Sequence, residues 1–143
     1  MTIGYFTDIR YVNDAELKLP QSILNKAIKK GNEYGWKKED VLEVIETARK
    51  LGLATIGGQV QYVLPQGTCE LYWLSYDSSD RRRGERWSDY SDRSALECSE
   101  KFIKISALDI EKDLKASFHL EEALYEKVEL SDHQVFILYF ADN

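Results

Sequence analysis

The sequence predicts an α+β fold, a small sheet containing a central β-hairpin and a C-terminal strand, flanked by three or four helices. Three observations carry that prediction. Residues 37–51 repeat apolar side chains at helical spacing. Residues 59–76 switch to strand-like composition around a Pro65-Gln66-Gly67 turn. Residues 135–140 form a run of β-branched and aromatic side chains.

The elements follow in order. Ile3 to Phe6 and Ile9 to Val12 are short β-prone pieces. Pro20, then Ile23, Leu24, Ala27 and Ile28, predicts a short helix with its proline in the first turn, where a missing N–H does no harm. Gly31 is expected to end it. Lys37 to Leu51 is the strongest helix, with Val41, Leu42, Ile45 and Ala48 on one face. Glu39 and Asp40 in its first turn and Arg49 and Lys50 in its last complement the helix dipole. Gly52 stands where a left-handed cap belongs. Gln59 to Leu64 and Thr68 to Tyr76 form the hairpin. In its second strand Cys69, Leu71 and Trp73 share one face and Tyr72, Leu74 and Tyr76 the other. Both faces are largely apolar, which predicts a central strand covered on both sides. Asp77 to Gly84 reads as a polar loop. A second long helix starts near Arg86 and carries Trp87, Tyr90, Cys98, Phe102 and Ile105 in one stripe. Ser106 with Asp109 could cap a third helix, and the region to Val128 reads as mostly helical with a break near Ser117.

The chain of 143 residues fits a single domain, 1–143, able to bury a core without disulfides or metals. Its longest apolar run, Val135 to Ala141, falls far short of the ~20 residues of a membrane span. Met1 to Asp14 shows no signal-peptide pattern, so a cytoplasmic location is expected. Cys69 and Cys98 lie outside any CxxC pair, which predicts reduced core thiols and no metal or other cofactor.

Charge is unevenly placed. The net charge is −6, and residues 95–143 hold five lysines against eleven acids, which is all of it. Such a surface repels nucleic acid and anionic membrane and suits a basic protein partner. It equally suits plain solubilisation. Glu121, Glu122, Glu126, Glu129 and Asp132 are the candidate partner-binding residues, and they also read as a solvated helix face.

Other constellations are weak. His119 and His133 are the only imidazoles, and their spacing matches no HxxxH or HExxH motif. Gly57-Gly58 lacks the GK that a phosphate loop requires and reads as a bend into the hairpin. Arg81-Arg82-Arg83 with Arg86 and Trp87 is the best case for phosphate and base contact. Asp77, Asp80, Glu85 and Asp89 neutralise that window, which favours a self-paired or partner-facing loop. Trp73 is expected in the core, and Trp36 fits either a core or an interface anchor.

One stretch carries a resemblance. It runs through Gly35-Trp36, Glu39-Asp40-Val41-Leu42, Ala48-Arg49 and Leu51-Gly52-Leu53-Ala54. It continues through Gly58-Gln59, Leu64-Pro65, Gly67 to Leu74, Gly84-Glu85, Trp87, Tyr90 and Arg93-Ser94. This pattern resembles small immunity proteins encoded beside bacterial polymorphic toxins, and more narrowly the contact-dependent growth inhibition (CdiI-like) type. The resemblance implies a cytoplasmic non-enzyme that binds and neutralises one cognate toxin C-terminal domain, often a nuclease. It fixes no toxin-contact residues, and the acidic tail lies outside it.

Composition agrees independently. An acidic inhibitor copies the charge of the phosphate substrate that a basic nuclease must hold. Two other readings compete. One is a small hydrolase or nuclease using His119 or His133 with carboxylates and Arg81 to Arg83. The other is a generic adaptor.

Overall fold

The computed structural model describes residues 14–64, 67–108, 110, 112 and 130–143. The β-prone pieces before Asp14, the Pro65-Gln66 pair and most of the expected helical region after Ser106 lie outside them. Residues 110 and 112 are helical, and Ile110 is buried in the core.

The architecture is α+β, as the sequence predicts. The helices are α1 (Gln21–Leu24), α2 (Val41–Lys50) and α3 (Trp87–Ser106). The strands are β1 (Ile28–Lys30), β2 (Glu33–Trp36), β3 (Ala54–Gly57), β4 (Gln59–Leu64), β5 (Gly67–Ser75), β6 (Gln134–Ile137) and β7 (Tyr139–Ala141). A five-stranded antiparallel sheet runs in the order β1-β2-β6-β4-β5, and β3 pairs with β7 in a second sheet of two strands.

The expected first helix is short. It stops at Leu24, and Ile28 instead opens a hairpin with β2. Gly31, at φ 61°, serves the turn of that hairpin and not a helix end. Helix α2 buries Val41, Val44, Ile45 and Ala48, whereas Leu42 is exposed. The 3.6-residue period explains the exchange, since residue 44 lies closer than residue 42 to the 41–45–48 stripe. Gly52 takes the left-handed φ of 79° expected past the helix end.

The strand covered on both sides is not β5, which forms an edge of its sheet. Between the pairs Val60–Leu71 and Gln59–Ser75, three residues of β5 bulge outward. The bulge breaks the alternation, so Leu71 and Leu74 both turn inward while Trp73 is 53% exposed and not in the core. The doubly covered strand is the C-terminal one. Phe136, Leu138 and Phe140 enter the main core with Trp36, Tyr76 and the inner faces of α2 and α3. Val135, Ile137 and Tyr139 enter a second cluster with Ala54, Ile56 and Tyr90.

Trp36 is fully buried, its indole N–H donating to the Ile23 carbonyl at 3.0 Å and its ring meeting Phe140 edge-on. Helix α3 closes the free edge of β3 with short side chains. Ser94 Oγ accepts the Thr55 N–H at 3.0 Å and Ser91 Oγ donates to the Leu53 carbonyl at 2.6 Å. Backbone groups that no strand pairs are thereby satisfied. Cys98 is buried on the same helix face and Cys69 is half-buried; both are free thiols. Burial pushes the Cys98 thiol up to about 12.

Gly57-Gly58 is more than a bend. A Cβ at Gly58 would collide with the Ile137 carbonyl, to which the buried Tyr76 hydroxyl donates at 2.6 Å. Gly58→Ala is therefore expected to separate β4 from the C-terminal strand and destabilise the fold by about 2–3 kcal/mol. Urea unfolding followed by far-UV circular dichroism measures this, and an unchanged midpoint would refute the close-approach reading.

Candidate functional site

The sequence offered two surfaces, the acidic tail and the arginine-rich loop. Glu121, Glu122, Glu126 and Glu129 lie outside the described residues, as does His119. Asp132 is exposed in a one-turn 3-10 helix, Leu130–His133. His133 in the same turn is half-buried, and its Nδ1 lies 2.9 Å from the Val63 carbonyl, tying the turn to β4. Among the described residues no group of three or more His, Cys, Asp or Glu side chains is placed to hold a metal ion. No helix among them is long and apolar enough to cross a membrane.

The loop between β5 and α3 is built around Arg93. Its guanidinium grips Glu85 in two-pronged fashion, Nε to Oε2 at 2.8 Å and Nη2 to Oε1 at 2.7 Å. Nη1 donates to Ser79 Oγ at 2.7 Å and to Glu97 Oε1 at 3.1 Å, and Nη2 reaches the Asp80 carbonyl at 3.1 Å. Glu97 in turn accepts the backbone N–H of Ser79, and Glu85 that of Arg82. The Arg93 and Glu85 side chains are only 14% and 10% exposed. One arginine on a rigid helix therefore fixes both ends of the loop.

The other charges sort around this clamp. Arg81 donates to the Glu85 carbonyl at 3.0 Å and lies over the Trp87 ring, 5.3 Å from its centroid. The Trp87 indole N–H donates to the Gly52 carbonyl. Arg86 pairs with Asp89, Arg49 of α2 pairs with Asp92, and Asp77 Oδ1 accepts the Gly58 N–H. Arg82 and Arg83 are exposed, and their guanidiniums make no hydrogen bond or ion pair among the described residues. Arg82 only adds to the field that holds Glu85 ionised. Exposed Asp80 is the nearby opposing charge in sequence. The segment Arg81 to Arg86 lines a wide, open recess.

The self-paired loop expected from the sequence is thus present, though its organiser was not singled out there. The available signal was the i,i+4 pair of Arg93 and Glu97 on a helix, with Glu85 eight residues upstream. What the loop can do chemically is present rigid, charged groups. Among the described residues the one imidazole, that of His133, faces the Val63 carbonyl.

Residues 23–120 match the family described as Immunity protein 40. No curated protein and no solved structure matches the chain.

The clamp has a pH signature. Glu85 is held at about 2, against an ordinary 4.5, by its hydrogen bonds from Arg93 and then by the Arg82 N–H. A depressed carboxylate stabilises the folded loop fully above its unfolded value and loses that contribution as pH falls through the folded one. The Arg82 and Glu85 amide signals in NMR should therefore hold steady from pH 7 to about 5 and move only on approach to about 2. Glu85→Gln should abolish the shift. A transition centred near pH 4.5 would contradict the clamp.

Proposed function

Because the chain belongs to the Immunity protein 40 family, we propose that it neutralises one cognate toxin domain by binding directly over its active site, and that this toxin is a basic nuclease. The family match over residues 23–120 is the observation that carries the reading. The charge distribution supports the choice of target. The acids of residues 95–143 supply the whole net charge of −6, and a phosphate-handling site must be basic. Contact-dependent growth inhibition is the system we assign it to, acting in the cytoplasm of the toxin-producing cell.

Glu121, Glu122, Glu126, Glu129 and Asp132 are the residues we assign to the toxin-facing surface. Exposure of Asp132 on the 3-10 turn is compatible with that role. Stoichiometric binding calls for no catalytic group, and tight inhibition calls for a few central anchors in an interface of roughly 1,600 Å².

Co-expression with the toxin domain encoded beside its gene should rescue growth, and inhibition in vitro should saturate near one inhibitor per toxin. Protection at strongly substoichiometric amounts would overturn the binding mechanism, and absence of binding would overturn the function. Reversing the five acids to lysine should slow association by about one to two orders of magnitude at low salt while the fold survives. An unchanged rate would reduce that surface to a solubilising one.

A further inference from the structure

The arginine-rich loop has a feature that its neutral sequence hides. Residues 77–94 contain five arginines and five acids, so the window carries no net charge. In three dimensions most of the acids are taken up by partners other than Arg82 and Arg83. Glu85 is consumed by Arg93, Asp89 by Arg86 and Asp92 by Arg49, while Arg81 is turned onto Trp87 and the Glu85 carbonyl. Left outside are Arg82 and Arg83, with Asp80 and Asp77, whose Oδ1 accepts the Gly58 N–H, as the remaining exposed acids. Gly84, at φ 79°, sets the turn just beyond them.

Their support is rigid. The Arg82 N–H is hydrogen-bonded to Glu85 at 2.9 Å, and Arg93 ties Glu85, Ser79 and Asp80 to the helix. Ordering a loop on binding costs affinity, and this loop is already ordered. Arginine is also the charged residue most enriched among interface anchors, because its planar fork matches a carboxylate.

We propose that Arg82 and Arg83 form a second docking element, of opposite sign to the acidic tail, which receives carboxylates on the surface of the bound toxin. The proposal rests on the immunity reading above. Protein carboxylates are chosen over nucleic-acid phosphates because a chain of net charge −6 repels a polyanion, whereas it tolerates a local acidic patch on a basic protein. The toxin surface is then bipolar, basic around its active site and acidic beside it. That pattern fixes the orientation of the inhibitor and rejects toxins that are merely basic.

The test is kinetic. The toxin domain encoded beside the gene is mixed with the wild-type chain, with Arg82→Ala/Arg83→Ala and with Arg82→Lys/Arg83→Lys. Neither side chain packs or pairs among the described residues, so both variants should fold, and circular dichroism checks this. The alanine variant should dissociate at least about fivefold faster per arginine removed. Lysine should restore less than full residence time, because it cannot engage a carboxylate with two prongs. Equal dissociation of all three proteins would overturn the docking element and leave the immunity function standing. A wild-type chain that fails to bind overturns both. A single-stranded oligonucleotide serves as a parallel probe: no binding is expected, and binding lost in the alanine variant would replace carboxylates by phosphates and overturn the proposal.

Discussion

The fold hangs on the insertion of residues 134–141 between elements that precede them by many tens of residues. Strand β6 lies between β2 and β4, β7 pairs with β3, and the Leu138 N–H between them donates to the Tyr34 carbonyl. One segment thus satisfies the backbone of both sheets. Its side chains alternate into two separate cores, and every residue from Val135 to Phe140 is buried. Burying one such side chain contributes about 1.5–3 kcal/mol. An exposed ion pair such as Lys26–Glu43 contributes at most about 1 kcal/mol. The segment therefore dominates, and glycines at positions 35 and 58 exist to let it approach.

Around that insertion the molecule uses polar side chains to finish edges. Ser91 and Ser94 substitute for a strand beside β3, and Tyr76 caps the Ile137 carbonyl where β6 gives way to β7. Arg93 does the same for a loop, replacing secondary structure with a web of donors. The shared residues that carried the family resemblance divide along these lines. Gly35, Trp36 and Gly58 serve the sheet, while Gly84, Glu85, Trp87, Tyr90 and Arg93 serve the loop. The motif is a scaffold that holds a surface in place.

Much of this was legible in the sequence. The fold class, α2, α3, the β4–β5 hairpin and the last strand each rest on periodicity or turn chemistry strong enough to survive tertiary context. The β1–β2 hairpin was not legible. Its strands are three and four residues long, and Ala27-Ile28 continued a helical spacing that only pairing with β2 overrides. The edge position of β5 was hidden because a bulge is a matter of register, which an apolar strand does not reveal alone. Trp73 was misplaced for the same reason. In the candidate site, net charge could be counted from the sequence, but its direction could not. Which acid meets which arginine depends on α3 crossing beneath the loop. The acidic residues 121–129 lie outside the described residues and remain assigned on composition.

The position of β6 also sets a schedule for the nascent chain. Both hairpins of the larger sheet are synthesised early, yet β2 and β4 share no backbone ladder; a side-chain hydrogen bond from Gln61 to Glu33 at 3.3 Å spans them, and their backbones are joined only through a strand translated some seventy residues after β4. Until then each hairpin is an isolated ribbon with an exposed apolar face, and a two-stranded ribbon alone is marginal in water. Such long-range closure makes folding slow and leaves the unfinished chain exposed to aggregation and chaperones.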